Sequence, residues 1–192
     1  MKLIILDRDG VINVDSDEYI KSPEEWSPLP GSLPAIARLN QRGYRVVVAT
    51  NQSGISRGLF DMKTLGAMHH KLHQSAQAVG ARIDAIFFCP HLSEEHCECR
   101  KPKPGMLLSI GQRFGISLRD VPVVGDSLRD LQAAEHVGAA PYLVKTGKGE
   151  QTLAQSGLPH GTKVFDNLAM MVDRLLHADE IASETVEMAR SA

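Results

Sequence analysis

The stretch Lys2-Leu3-Ile4-Ile5-Leu6-Asp7-Arg8-Asp9-Gly10-Val11 decides the fold. Its apolar run, Leu3 to Leu6, is too short and too apolar for a surface element and reads as a strand buried on both faces. The run stops at two carboxylates spaced two apart, followed by glycine, so the strand's carboxyl end is polar. In an open parallel sheet that end is where ligands collect. Taken alone, Asp-x-Asp at a strand end reads equally well as turn capping by a short acid.

Working outward, the same alternation repeats. Pro30-Gly31-Ser32 opens a helix through about Arg42, with Leu33, Ile36, Ala37 and Leu39 on one stripe and Gly43 as its stop. Tyr44–Ala49 is a buried strand, and Asp61 caps a helix running to about Val79. Ile83–Phe88 is a strand, Pro104–Phe114 a helix, Val121–Val124 a strand and Ser127–Val137 a helix. Pro141–Val144 is a strand, Lys163–Phe165 a weaker one, and a helix runs from Asn167 to about His177. This predicts an α/β fold, a Rossmann-like, doubly wound and mainly parallel sheet with helices on both faces. No repeat or linker divides it, so one domain is expected over residues 1–177, with a polar tail, 178–192, read as a frayed helix end. Two segments break the pattern, Gly10–Leu29 and His91–Pro104. Long loops in a compact domain are usually functional or disordered.

The chain has 192 residues, of which 43% are hydrophobic and 23% charged, enough for one domain with its own core. Lys and Arg total 21 against 23 Asp and Glu, a net charge of −2, which argues against nucleic acid or an anionic membrane as the partner. No stretch approaches the ~20 apolar residues of a membrane span. Asp7 also breaks the first apolar run too early for a signal peptide. A monomeric cytoplasmic protein with a small-molecule partner is the expectation. All three cysteines fall between Cys89 and Cys99, a pattern that favours a reduced compartment and a metal over a disulfide framework.

The other strand ends carry complementary chemistry. Strand two ends in Thr50-Asn51-Gln52-Ser53-Gly54 and strand four in Gly125-Asp126, with Asp130 one turn into the next helix. Asp130 reads equally as a supporting acid or as an exposed helix-face residue. Lys101 and Lys103 precede the helix between strands three and four. Converging carboxylates repel, so a hard divalent cation such as Mg²⁺ is expected among them. A hydroxyl and a lysine beside that ion would grip an anionic oxygen group, as phosphoryl chemistry requires. Cys89, Cys97 and Cys99 with one imidazole suit tetrahedral Zn²⁺ in a closed, structural site. On chemistry alone the imidazole is His91 or His96. Arg100, a planar fork suited to phosphate, is the candidate for a second, non-reacting phosphate. His69 and His73 have metal-like spacing but no third ligand, and read with His70 as surface or core residues. Trp26 reads as packing, and Met170-Met171 as core filler.

On these residues the chain resembles the haloacid dehalogenase superfamily of phosphotransferases. Its four motifs match Asp7-Arg8-Asp9-Gly10-Val11, Thr50, Lys101 and Gly125-Asp126. Within it, Thr50–Gly58 and Cys99–Met106 are similar to the histidinol-phosphate and heptose-bisphosphate phosphatase branch. The resemblance implies that Asp7 attacks phosphorus to form an aspartyl-phosphate. It implies that Asp9 is the general acid and then the base. Mg²⁺ would be held by Asp7, the main-chain carbonyl of Asp9, and Asp126, and the phosphoryl oxygens by Thr50 and Lys101. Zn²⁺ would be held by Cys89, His91, Cys97 and Cys99, since the family pattern Cys-x-His then Cys-x-Cys selects His91. The fold would carry no large cap, with the metal-tied loop 89–100 presenting Arg100 and Lys101. Asn51, Gln52 and Ser53, adjoining Thr50, would contact the sugar, as would Asp15, Asp17 and Tyr19 of the loop after the first strand, whose stretch Asn13–Tyr19 is one residue longer than the family's. The expected reaction removes the terminal phosphate of a heptose bisphosphate, leaving a sugar 1-phosphate for nucleotide activation in surface-glycan synthesis. A histidinol-phosphate phosphatase is the alternative, against which Ser53-Gly54-Ile55 speaks. A non-enzymatic receiver-like or zinc-tied binding module is another, but receivers carry their acid after the third strand, where this chain has Phe88-Cys89.

Overall fold

The computed structural model describes residues 1–190. The last two residues of the expected tail, 191 and 192, lie outside the described residues. Six strands form one sheet: β1 (Lys2–Leu6), β2 (Tyr44–Asn51), β3 (Ala85–Cys89), β4 (Pro122–Gly125), β5 (Ala140–Val144) and β6 (Lys163–Phe165). Their order is β3-β2-β1-β4-β5-β6, and every neighbouring pair is parallel. The order reverses at β1, which lies between β2 and β4 with Leu6 opposite both Val48 and Val124. Asp7 therefore emerges at the switch point, where such sheets bind ligands.

Strand side chains alternate between faces, and here both faces are apolar. Ile4, Leu6, Val46 and Val48 point into one core cluster with Ile36, Leu39, Met68, Leu72 and Met171. These come from α1 (Ser32–Gln41), α2 (Met62–Ala78) and α6 (Leu168–Arg190). Leu3, Ile5, Val47 and Val123 point into the other cluster with Leu107, Ile110, Ala133 and Ala134. Those helical residues belong to α3 (Gly105–Phe114) and α4 (Leu128–His136). The continuous apolar runs follow from this double coverage. Met171 is fully buried as expected, but its neighbour Met170 is half exposed.

Three elements differ from the sequence reading. β3 starts at Ala85, because at Asp84 the pairing with β2 is only half backbone: Asp84 N donates to Val46 O at 2.8 Å, but Val46 N is taken by the Asp84 side chain at 2.9 Å. A short α5 (Gly149–Leu153) follows β5. α6 continues past His177 to Arg190, and its extension is tied back to β1 by the Lys2–Asp179 ion pair and to the end of α1 by the Arg42–Glu180 pair, both at 2.6 Å.

Among the described residues, the loops that leave the carboxyl ends hold no folded unit beyond a single 3-10 turn, Ser93–Glu95. The long loop after β1 is packed down, with Trp26 only 1% exposed. Lys71 of α2 donates to the carbonyls of Pro23 (2.6 Å) and Trp26 (2.8 Å). Among the described residues, no helix is long and apolar enough to cross a membrane.

Candidate active site

Asp7, at the end of β1, donates its backbone N–H to Val124 O at 2.9 Å, and Asp126 follows β4. The carboxylate oxygens of Asp7, Asp126 and Asp130 come within 4.8 Å of one another, and all three residues are buried. Lys101 enters from the loop before α3. Its Nζ lies 3.1 Å from Asp7 Oδ1 and 2.6 Å from Asp130 Oδ1, and donates to Ala49 O at 2.6 Å. Asp130 Oδ2 accepts from Ser127 N (3.1 Å) and Ser127 Oγ (2.5 Å), closing a capping box on α4. Of the two readings left open for Asp130, the structure selects the supporting acid: the side chain is buried and holds Lys101.

Electrostatics follow from burial. Burial lifts the Asp7 carboxyl to about 6, with Lys101 pulling against it and Asp130 and Asp9 adding to it. Burial lifts Asp126 to about 8, reinforced by Asp130 and Asp7. Lys101 is held above its ordinary value despite burial, because Asp130 and Asp7 face it. Buried carboxylates that resist ionising together are what a divalent cation relieves.

The surrounding backbone fits such an ion. A Cβ on Gly10 would sit 2.1 Å, and on Gly147 2.2 Å, from Asp126 Oδ2, so two loops close on this carboxylate as only glycine permits. Both glycines also have positive φ, 78° and 57°. Lys148 N donates to Asp126 Oδ2 at 2.8 Å, and Thr152 Oγ1 to Asp126 O at 2.8 Å. Thr146 Oγ1 ties the same loop to Gly10 O at 2.6 Å.

Asp9 points into a different set of donors. Arg8 grips it through Nε (3.1 Å) and Nη2 (3.0 Å), Asn13 Nδ2 donates at 2.9 Å and Gln52 Nε2 at 2.8 Å. Burial would raise this carboxyl, but Arg8 and these hydrogen bonds outweigh it and leave Asp9 below the usual range. Gln52 also donates to Thr50 Oγ1 (2.9 Å) and accepts from Arg8 Nη2 (3.1 Å), coupling the ends of β1 and β2. Asn51 clamps the Lys101 backbone reciprocally, N–H to Oδ1 and Nδ2 to carbonyl, both at 3.1 Å.

One cavity gathers Asp7, Asp9, Asp15, Tyr19, Thr50, Asn51, Gln52, Ser53, Arg100 and Asp126, the residues singled out in the sequence. Lys101 lies behind it, against Asp7. Arg57 stacks over the Tyr19 ring at 5.8 Å, with Tyr19 in the left-handed region at φ 66°. The sequence reading missed Arg129 and Lys148, which also line the cavity. Strand-end logic applies equally to β5, whose end Lys145-Thr146-Gly147-Lys148 carries the signal for Lys148. Arg129 carries none, since an arginine in a helix's first turn reads as solvated.

The second cluster lies beside this cavity. Ligand atoms of Cys89, His91, Cys97 and Cys99 all come within 4.8 Å of one another, a set that could hold a metal ion. The Cys89 and Cys99 sulfurs are 3.0 Å apart, beyond the roughly 2.05 Å of a disulfide. His91 Nδ1 is 3.3 Å from Cys99 Sγ, so His91 is the clustered imidazole and His96 lies outside the group. Arg100 Nη1 donates to His91 O at 3.2 Å, fastening the arginine to this loop. A Cβ on Gly105 would meet Glu98 O at 2.3 Å, which fixes glycine where α3 meets the loop. His69 and His73 join no metal-like group among the described residues. Burial, chiefly, drives the His69 imidazole down to about 4.

Comparison with known proteins places this geometry. The family described as HAD-hydrolase-like matches residues 98–171, and polynucleotide kinase 3 phosphatase matches residues 2–131. The chain is 59% identical over 176 residues to the D-glycero-beta-D-manno-heptose-1,7-bisphosphate 7-phosphatase of Bordetella bronchiseptica, covering 92% of this chain and 98% of that protein. The protein of the same name from Pseudomonas aeruginosa is 53% identical, covering 91% and 97%. The crystal structure of D,D-heptose 1,7-bisphosphate phosphatase from B. bronchiseptica, complexed with magnesium and phosphate, superposes with a TM-score of 0.92 at 58% identity, covering 93% of this chain and 99% of that one. A HAD-superfamily hydrolase from Geobacter sulfurreducens, 18% identical with a TM-score of 0.56 over 90% of this chain and 98% of that one, shares the fold alone. With a matching phosphatase family over residues 2–131 and relatives this similar over almost their whole length, the chain belongs to the HAD phosphatases and, within them, to the D-glycero-beta-D-manno-heptose-1,7-bisphosphate 7-phosphatase family.

Proposed function

We propose that this chain hydrolyses the 7-phosphate of D-glycero-β-D-manno-heptose 1,7-bisphosphate, as a cytoplasmic monomer. The observation that carries the reading is the pairing of Lys101 with Asp7 at the switch point, in a chain 59% identical to the B. bronchiseptica protein of that name. Asp7 Oδ attacks phosphorus in line, so that the Asp7 O–P bond forms as the bond from phosphorus to the sugar oxygen breaks. Asp9, having taken up a proton from solvent against the pull of Arg8, gives that proton to the leaving oxygen. Its carboxylate then takes a proton from the water that attacks the aspartyl-phosphate, releasing phosphate and restoring Asp7. The grip of Arg8, Asn13 and Gln52 favours the ionised Asp9 that the second step needs.

Lys101 and Thr50 hold the transferring oxygens, and Asn51 fixes the Lys101 backbone. Asp7, Asp126 and the Asp9 carbonyl would hold magnesium, which would neutralise charge at the phosphoryl oxygens. Asp15, Tyr19, Gln52 and Ser53 face the sugar, and Arg100 takes the 1-phosphate. Cys89, His91, Cys97 and Cys99 would hold zinc, which would fix the loop that carries Arg100. The product, heptose 1-phosphate, is the form that a nucleotidyl transfer consumes.

The test is phosphate release with Mg²⁺ from the α and β anomers, beside histidinol phosphate and a 3′-phosphorylated oligonucleotide. Strong preference for the β anomer is expected. Greater turnover of histidinol phosphate or of the oligonucleotide overturns the substrate assignment.

A further inference from the structure

Three cations line the cavity, Arg100, Arg129 and Lys148. Two of them are engaged. Arg100 donates to His91 O at 3.2 Å, and Lys148 Nζ stands 3.4 Å from Asp17 and 3.6 Å from Asp15. The Arg129 side chain makes no hydrogen bond or ion pair among the described residues, and its Nε is buried without a partner. A buried guanidinium donor left unpaired is unusual and needs a reason. None of the nearby carboxylates pairs with it among the described residues, although Asp130 Oδ1, 2.6 Å from Lys101 Nζ, has no hydrogen-bond donor of its own. Asp130 is taken by Lys101 and Ser127, Asp7 by Lys101, and Asp126 by the Lys148 amide.

Position narrows what Arg129 is for. It lines the main cavity and also an adjoining hollow with Ser127, Lys148, Gln151 and Thr152. Its side chain therefore runs along the rim between the two spaces. The reacting phosphoryl group has Lys101 and Thr50 near the cavity floor. Strand order sets Arg129, after β4, and Arg100, before α3 on the β2–β3 side, on opposite sides of β1.

We infer that Arg129 is a specificity-determining residue that binds the phosphate that is not transferred, opposite Arg100. Two guanidinium forks from opposite walls would recognise a second phosphate bidentately, which a lone lysine cannot do. The surrounding carboxylates Asp130, Asp7, Asp126 and Asp15 outweigh burial and keep the group firmly cationic. This inference rests on the reading of the substrate as a sugar bisphosphate.

The test compares kcat/KM for heptose 1,7-bisphosphate with that for heptose 7-phosphate, in wild type, Arg129→Ala and Arg129→Lys, with saturating Mg²⁺. Wild type is expected to favour the bisphosphate. In Arg129→Ala that preference should fall roughly 10- to 100-fold, the weight of one charge-assisted hydrogen bond, mostly through KM. Arg129→Lys should recover part of it, and carries the test should the alanine variant fail to fold. A preference unchanged in both variants overturns the inference. A wild-type enzyme that takes the monophosphate equally well overturns the substrate reading, and this inference with it.

Discussion

Lys101 Nζ lies 2.6 Å from Asp130 Oδ1, closer than its 3.1 Å to Asp7, and both side chains of the shorter pair are at most 2% exposed. The lysine is thus aimed by a carboxylate that the reaction does not consume. Asp130→Asn keeps the shape and an oxygen for Ser127 but removes the buried countercharge. Breaking a buried pair costs about 3 kcal/mol, since one charge stays behind uncompensated. The remaining attraction would draw Lys101 onto Asp7 and blunt the nucleophile. Expected outcomes are a lower urea midpoint and a kcat reduced at least about tenfold, the size of a ~1.4 kcal/mol barrier change. Wild-type turnover in this variant would show that Lys101 needs no such partner.

The raised carboxyls make stability depend on pH in a defined direction. Burial in the fold lifts the Asp7 carboxyl to about 6 and the Asp126 carboxyl to about 8, against an ordinary 3.8. A carboxyl raised by folding contributes stability in full below its unfolded value and loses it as pH rises through the folded one. Asp9 and Asp130, which are lowered, act oppositely, with stability present above 3.8 and lost at lower pH. Between pH 4 and 8 the first pair therefore governs the slope. EDTA-treated protein should melt at a higher temperature at pH 5.5 than at pH 8.5. Added Mg²⁺ should stabilise it more at pH 8.5, because the ion needs both carboxylates deprotonated. Equal Mg²⁺ shifts at both pH values would refute the assignment of these acids to the metal.

Much of this site could be read from the chain because it is built from strand ends. Val46-Val47-Val48 and Ile4–Leu6 announce buried strands, and the polar residues that interrupt each run, Asp7, Thr50 and Asp126, fall in one place once the sheet is parallel. Arg129 and the bonds of Asn51 to Lys101 were not legible, because they depend on side-chain direction rather than spacing. The extension of α6 was hidden for a similar reason. Its acids, Asp179 and Glu180, look like a solvated tail until Lys2 and Arg42 are brought opposite them.

The cysteine loop should couple metal content to substrate binding. Arg100 is fastened to His91 O, and Lys101 follows it directly, so loosening the metal set frees both cations. Cys97 is the most suitable probe, because it is only partly buried and packs at the edge of the core cluster in which Cys89 is fully buried. Cys97→Ser should lower bound zinc, measured by metal analysis, and lower the melting temperature. KM should rise more than kcat falls. Full metal content with unchanged kinetics would separate the loop from the site.

The loop after β1 is anchored from outside the site, and that anchor should be visible in KM. Lys71 donates to Pro23 O at 2.6 Å and Trp26 O at 2.8 Å, while Trp26 is only 1% exposed. The same loop carries Asp15 and Tyr19 into the cavity. Lys71→Met keeps the aliphatic stem and removes both charge-assisted bonds, leaving two carbonyls less well satisfied. A cost of about 2 kcal/mol follows for the loop's docked state, within the range for bonds to charged groups. Lys71 touches none of the cavity residues that act on phosphorus, so kcat should stay near wild type while KM rises several-fold. Faster backbone hydrogen exchange over residues 14–29 should accompany the rise. An unchanged KM with faster exchange would mean that the loop's order is irrelevant to binding the sugar.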